Sequence, residues 1–140
     1  MPQTQTGHPR LTAPKPIRGM GYEQFKQYLK GEQKGDLIDG TAKIMSPAPY
    51  SHERIFGFLY ALMRFYVRSK DLGEVLGSRT LVRIDERNGY EPDILFVSKE
   101  RLHIIKEKEL AEAPDVAVEI VSRSSRIDDR VRKFMGYERA

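Results

Sequence analysis

Two carboxylates stand where a soluble protein rarely leaves a charge without a partner. Asp93 directly precedes the apolar run Ile94–Val97, and Glu119 is the single charged residue within Val116–Val121. An ionised carboxylate in a buried strand is costly unless a cation, a hydrogen-bond donor or a metal ion compensates it. The pattern fits a metal-binding pair of acids. It fits equally an ion pair with an arginine, or an edge strand that turns Glu119 towards solvent.

The helix after the second strand is expected to bring a lysine to the height of Glu119. From Glu119 to Ser122 a strand advances about 10 Å, at roughly 3.3 Å per residue. A helix that begins near Arg126 and folds back has returned about 10.5 Å by Lys133, at roughly 1.5 Å per residue. We therefore expect the Lys133 ammonium in a cleft beside Glu119, with a solvated basic face as the alternative. A helical wheel predicts a buried stripe of Val131, Phe134 and Met135. A second stripe along one flank of the helix consists of Arg126, Arg130, Lys133 and Tyr137.

The composition limits the kind of site. The chain has no cysteine, and His8, His52 and His103 are too dispersed to suggest a zinc cluster. Any metal would therefore be held by oxygen ligands, as Mg²⁺ and Mn²⁺ are. Lys and Arg outnumber Asp and Glu by 24 to 20. This balance is compatible with a polyanionic partner such as DNA but does not demand one.

The elements before Asp93 form a helix, a hairpin and a long helix. Tyr22–Lys30 has a helical period, and residues 36–45 read as two strands about an Asp39-Gly40 turn. A longer helix is expected over Ser51–Ser69, with Ser51 as its cap. Its expected buried stripe is Ile55, Phe58, Leu59, Leu62, Met63 and Tyr66, and its outer face carries Arg54, Arg64 and Arg68.

The second half adds strands and a final helix. We expect strands at Leu81–Asp85, Ile94–Val97 and Val116–Val121, the last being the most buried, with a turn at Asn88-Gly89. A polar run, Ser122–Ser125, separates the last strand from a helix that runs to the end of the chain. This order predicts an α/β or α+β fold, a sheet with helices packed on it.

The chain ends and the hydropathy give further expectations. Residues 1–18 contain four prolines and no apolar centre, which predicts a disordered tail on a cytoplasmic protein. No apolar run approaches the roughly 20 residues of a membrane helix. Residues 19–140 have the length of one compact domain.

Several short motifs follow one another along the chain in a definite order and spacing. They are Leu37–Gly40, Met45–Pro49 with Ser51-His52, Glu91–Asp93 before Ile94–Val97, and Ala113–Asp115 before Val116–Ser122. Together they resemble the Uma-type family of restriction-endonuclease-like proteins within the PD-(D/E)xK nuclease superfamily, over about Tyr22 to Ala140. The resemblance implies a mixed central sheet flanked by helices and the Mg²⁺- or Mn²⁺-dependent hydrolysis of phosphodiester bonds in DNA.

The resemblance also assigns residues to roles. Pro92-Asp93 matches the PD element, and Glu119 matches the acid of the second element. The lysine of that second element is absent, because Val121 stands two positions after Glu119, and Lys133 matches the lysine that this family carries on the following helix. The implied metal ligands are Asp93, Glu119 and the Ile120 carbonyl, with Lys133 as the cation that stabilises the transition state.

Other residues are implied in supporting roles. Asp36 stands where relatives usually have glutamate, and its side chain is one methylene shorter, which makes it an accessory candidate. His52, near the start of the long helix, would contact phosphate or Asp36, or act only as a structural hydrogen-bonding group. Contacts to DNA phosphates are expected from Arg54, Arg64, Arg68, Arg126 and Arg130.

Two other functions compete with a nuclease. One is a non-catalytic nucleic-acid-binding or interaction module that keeps the fold, and the other is a hydrolase of small phosphate esters. Relatives continue past Tyr137–Ala140 into a Gly-Val turn and more strands, so the resemblance implies a domain shortened at its C-terminus. An uncovered sheet edge or helix face would favour a homodimer.

Overall fold

The computed structural model describes residues 15–29, 33–122 and 127–140, which form three α-helices, eight short strands and one 3-10 helix. The α-helices are α1 (Tyr22–Tyr28), α2 (Tyr50–Ser69) and α3 (Ile127–Arg139), and the 3-10 helix is Lys99–Ile104. The strands are β1 (Ile17–Arg18), β2 (Gly35–Ile38), β3 (Thr41–Ile44), β4 (Gly73–Gly77), β5 (Val82–Asp85), β6 (Asn88–Tyr90), β7 (Ile94–Ser98) and β8 (Val116–Val118).

The described strands form two antiparallel sheets. Five strands pair in the order β1-β3-β2-β6-β5, and three in the order β4-β7-β8. The expected α+β class is confirmed, but the strands divide into two sheets instead of forming one mixed sheet. Short hairpin connections such as β2-β3 and β5-β6 require antiparallel neighbours, because a parallel crossover needs a dozen or more residues.

The β2-β3 hairpin was predicted from its turn residues, and the structure confirms it. Asp39 and Gly40 have positive φ angles of 48° and 75°, as a tight two-residue hairpin requires. β1 pairs with the outer edge of β3, with Ile17 opposite Ala42. The expected tail is therefore wrong at its last two residues, and residues 1–14 lie outside the described residues.

The first core cluster lies under α1. Tyr22 and Phe25 are fully buried, and Leu29 follows one turn later, as the helical period predicts. The Asn88-Gly89 turn is wrong, because both residues belong to β6, where Gly89 pairs with Leu37. A Cβ on Gly89 would lie 2.6 Å from the Tyr22 ring. Glycine is needed there for close packing and not for a turn.

Helix α2 has two apolar faces, and the structure buries the one that the sequence analysis did not favour. Phe56, Leu59, Tyr60, Met63 and Val67 pack towards the three-stranded sheet, around Val75 and Ile94. Most of the expected stripe faces solvent instead, because the opposite face also offers apolar side chains and only the contact with β4 decides between them. The exposed large side chains are Tyr50, Ile55, Phe58, Leu62, Phe65 and Tyr66.

We predict that serine in place of Phe58 or Phe65 leaves stability nearly unchanged. These rings are 67% and 75% exposed, so the free energy of unfolding should change by no more than about 0.5 kcal/mol, as at most surface positions. Val67→Ser, on the inner face, should instead cost about 1–3 kcal/mol. Thermal unfolding measures both. An equal loss of stability at Phe58 and Val67 would contradict this orientation of α2.

The last strand and helix also differ from expectation. β8 covers only Val116–Val118 and lies at the edge of the three-stranded sheet, with Val116 44% exposed, so it is not the most buried strand. In α3 the expected stripe is wrong, since its three members are about half exposed and the helix turns Lys133 and Gly136 inward. The exposed members are Val131, Phe134 and Met135. Among the described helices, none has the length and apolarity to cross a bilayer.

Candidate functional site

Asp93 is the last residue of the link between β6 and β7, which joins the two sheets, and it lies directly before β7. Its backbone N–H donates to the Val118 carbonyl at 3.0 Å, and its Oδ2 accepts the Ile120 N–H at 2.7 Å. The residue is 3% exposed. These two hydrogen bonds hold the segment after β8 against Asp93, which places Glu119, between the two bonded residues, at the same end of the sheet.

Two further side chains contact the Asp93 carboxylate. The Lys34 ammonium lies 2.6 Å from Oδ1, and His52 Nε2 lies 3.2 Å from Oδ2. His52 therefore has Asp93 as its partner, and not Asp36. Burial raises the pKa of Asp93, but the hydrogen bonds from Lys34 and the Ile120 N–H outweigh burial, so the pKa lies below its ordinary value. Asp93 is thus ionised at neutral pH.

Lys133 contacts two acidic side chains, those of Asp36 and Glu119. Its Nζ lies 2.9 Å from Asp36 Oδ2 and forms a short ion pair with Glu119 Oε1. The ammonium also lies 5.5 Å from the centre of the Tyr90 ring, within the range of a cation–π contact. Lys133 is 6% exposed, so this amine faces the site and not bulk water.

The charges of this cluster depend on one another. Burial lowers the pKa of Lys133, but the nearby Asp36 and Glu119 carboxylates raise it by more, so the amine stays protonated. Burial raises the pKa of Glu119, and Lys133 partly offsets that effect. The charges of Asp36 and Asp93 raise the same pKa further. The two acids expected to bind metal therefore interact electrostatically across the site.

Both carboxylate oxygens of Asp36 accept hydrogen bonds from other groups of the protein. It is 1% exposed, Oδ1 accepts the Glu91 N–H at 2.9 Å, and Oδ2 receives Lys133. Glu91 supports the same corner, because its Oε2 accepts the Gly35 N–H at 2.8 Å and burial raises its pKa. Since both oxygens of Asp36 are engaged, the residue anchors Lys133.

The C-terminal helix closes over the site through Gly136 and Tyr137. The Tyr137 hydroxyl lies 3.4 Å from Glu119 Oε1, and its ring meets Tyr90 edge-on with centroids 5.2 Å apart. Gly136 lies directly against Tyr90, since a Cβ there would be 2.3 Å from the Tyr90 hydroxyl. Aromatic packing and the missing side chain together set how close α3 approaches β6.

The structure thus brings six of the expected site residues together. They are Asp36, His52, Asp93, Glu119, Ile120 and Lys133. The expected phosphate-binding residues Arg54 and Arg130 lie on exposed helix surface, and Arg126 lies outside the described residues. Sequence reasoning missed Lys34, although Lys34 and Asp36 are two residues apart at an extended segment and so point to the same face.

The donor atoms of the site determine which metal ions it could hold. No group of three or more histidine, cysteine, aspartate or glutamate side chains in residues 15–29, 33–122 and 127–140 is placed to hold a metal ion. The expected set is smaller: two carboxylates, Asp93 and Glu119, with the carbonyl of Ile120, whose N–H already contacts Asp93. All are oxygen donors, and Mg²⁺ commonly takes only one or two protein carboxylates and keeps several waters. By its chemistry, this set fits Mg²⁺ or Mn²⁺.

Comparison with known proteins agrees with this fold. None of the curated proteins compared matches the sequence. The fold is similar to that of a putative nuclease belonging to DUF820 from Anabaena variabilis ATCC 29413, with a TM-score of 0.64 and 16% sequence identity. The similarity covers 79% of this chain and 65% of that chain, so this protein spans less than two thirds of that nuclease. The family model Uma2, described as "Putative restriction endonuclease", matches residues 22–140. This chain therefore belongs to the Uma2 family.

Proposed function

We propose that this protein is a Mg²⁺- or Mn²⁺-dependent endonuclease that hydrolyses phosphodiester bonds in DNA. The observation that supports the proposal most is the meeting of the Lys133 ammonium with Glu119 at the end of the sheet that holds Asp93. Asp93 and Lys133 are buried and Glu119 is partly exposed, so the two acids and the amine lie where a buried corner opens to solvent. Such groups can hold a metal ion and stabilise a phosphate, and the family model that the chain matches is described as "Putative restriction endonuclease".

In this proposal the acids hold the metal and fix the substrate. Asp93, Glu119 and the Ile120 carbonyl would bind Mg²⁺, which when bound supplies positive charge to the scissile phosphate. The Ile120 N–H and His52 hold the Asp93 carboxylate in place, so the backbone at Asp93 would not have to change when the metal binds. A site that is already ordered stabilises developing charge without a cost of reorganisation.

Lys133 would act as a fixed cation. Its raised pKa keeps it protonated, so it is suited to stabilise the extra negative charge of the phosphorane and not to accept a proton from water. In the proposed reaction the oxygen of a water molecule bonds to phosphorus as the bond from phosphorus to the leaving oxygen breaks. One proton of that water ends on the leaving oxygen, so the products are an alcohol and a phosphate monoester. Asp36 acts as a positioning residue, because it holds the amine from the far side.

Affinity for DNA would come mainly from exposed arginines. Arg54 on α2 and Arg130 on α3 lie at exposed positions on the two helices that carry His52 and Lys133. Guanidinium groups bind phosphate oxygens without reading sequence, and such binding weakens with salt. The net charge of +4 is compatible with this role.

Nicking of supercoiled plasmid tests the proposal. The protein should convert it to open circles in Mg²⁺ or Mn²⁺ but not in EDTA, and Asp93→Asn or Glu119→Gln should abolish the activity, because each removes a charged metal ligand. Glu100→Gln is the matched control, since Glu100 is an exposed acid on the 3-10 helix. DNA binding without cleavage in either metal would instead support a non-catalytic module. Hydrolysis of a chromogenic phosphate ester with DNA left intact would support a small-ester hydrolase.

A further inference from the structure

Lys34 is a second lysine of the site and differs from Lys133 in how it is held. It lies directly before β2, and its Nζ is 2.6 Å from Asp93 Oδ1. Its side chain is 23% exposed, whereas that of Lys133 is 8% exposed. Lys133 contacts two acids, and Lys34 has one carboxylate partner among the described contacts. Lys34 is therefore the amine that lies closer to solvent, so its ammonium could be hydrated once it leaves the Asp93 carboxylate.

Lys34 occupies the approach that a metal would use. Asp93 Oδ2 already accepts the Ile120 N–H and lies 3.2 Å from His52 Nε2, which leaves Oδ1 as the less engaged oxygen. The Lys34 ammonium lies against that oxygen. A divalent cation bound there would sit about 2.0–2.1 Å from the oxygen, and two cations so close in a buried corner repel each other strongly.

We propose that Lys34 is a resident counter-ion of Asp93 that a divalent cation must displace. Without metal, the ammonium compensates the buried carboxylate and keeps it in place. With metal, the side chain moves into solvent, so Lys34 lowers the affinity of the site for the cation. This inference rests on the proposed function, because it takes Asp93 as a metal ligand.

Calorimetric titration with Mn²⁺ tests the inference without any substrate. Lys34→Met should bind Mn²⁺ about tenfold more tightly than the wild type, because removing a competitor removes the fraction of protein in which the site is blocked. Lys34→Arg keeps the charge and should stay near the wild type. Lys26→Met is the matched control, since Lys26 pairs with Glu109 at 2.8 Å with 28% exposure. Unchanged or weaker binding by Lys34→Met, with clear binding by the wild type, overturns the inference and leaves the proposed function intact. An absence of binding in both overturns both.

A measurement on the wild type covers the case in which Lys34→Met folds poorly. Amine acetylation, read by peptide mass spectrometry, should increase several-fold at Lys34 when Mn²⁺ saturates the protein, because the ammonium is released from Asp93. Lys26 should not change, and neither should Lys34 in Glu119→Gln, which lacks a charged metal ligand. Constant labelling of Lys34 while calorimetry shows that Mn²⁺ binds would overturn the inference.

Discussion

Replacing Lys133 with methionine is expected to lower the free energy of unfolding by about 3–5 kcal/mol, the usual cost of removing one partner from a buried ion pair. The amine is 6% exposed and contacts both Asp36 and Glu119. Within the described part of the chain, Asp36 would then be a buried carboxylate that retains only the hydrogen bond from the Glu91 N–H. Urea unfolding measures the loss. Mg²⁺-dependent nicking by the residual folded protein should fall by a factor on the order of 10²–10³, as when one stabilising donor is removed from an active site.

A second substitution separates the two effects of Lys133. Adding Asp36→Asn to Lys133→Met removes the uncompensated charge, so part of the lost stability should return. Nicking should not return, since the cation at Glu119 is still missing. A single Lys133→Met variant with wild-type stability would contradict the buried ion-pair network. Recovery of nicking in the double variant would contradict the role of Lys133 in catalysis.

Alanine at Gly136 should lower the free energy of unfolding by about 1–3 kcal/mol, because overpacking a closed contact costs this much. The new Cβ would lie 2.3 Å from the Tyr90 hydroxyl and 2.9 Å from the Tyr90 ring. Tyr90 is 1% exposed, so its ring has no free space to occupy. The helix must therefore move, and Lys133, one turn earlier, moves away from Glu119 with it. Thermal unfolding and the nicking assay should both show a decrease.

The other glycine within an α-helix supplies the control. Gly57 lies in α2, and a Cβ there would have no described atom within 4 Å beyond its chain neighbours and the backbone of its own helix. Gly57→Ala should therefore raise stability by roughly 0.5–1 kcal/mol, since alanine loses less conformational entropy than glycine in a helix. If both alanine variants were stabilised, the close approach of α3 to Tyr90 would be wrong.

The position of Lys133 was predictable because it depends on backbone geometry. The rise per residue of strand and helix is nearly independent of side chains, and the helix reverses direction after a short polar run. The estimate needed only that α3 pack back along the strand, and the ammonium lies at Glu119 as expected. The Asp39-Gly40 dipeptide predicted the hairpin turn equally well, because few residue types adopt the positive φ that such a turn needs.

The buried faces of the helices were not predictable in the same way. Both α2 and α3 carry apolar side chains on more than one face, so periodicity alone could not decide which face packs. In α3 the buried corner is filled by Lys133 and Gly136, and apolar residues of the same helix face solvent. An amine partnered by two acids replaced the apolar contact that a helical wheel predicts. Lys34 was missed because it lies between the predicted first helix and the predicted hairpin of residues 36–45, in a stretch to which no element was assigned.

The way in which α3 is attached has a consequence for the conditions under which the site stays assembled. Besides Lys133, the helix is held by ion pairs of Lys43 with Asp129 and of Arg132 with Asp39. Several apolar residues of α3 are already in solvent, so its detachment would newly expose mainly the buried contacts around Lys133, Gly136 and Tyr90. Urea acts in proportion to newly uncovered surface, whereas dissolved ions weaken exposed charge pairs and affect buried pairs much less. Added salt should therefore weaken the two outer ion pairs of α3, while the buried pairs of Lys133 hold the acids and the amine together until a denaturant exposes them.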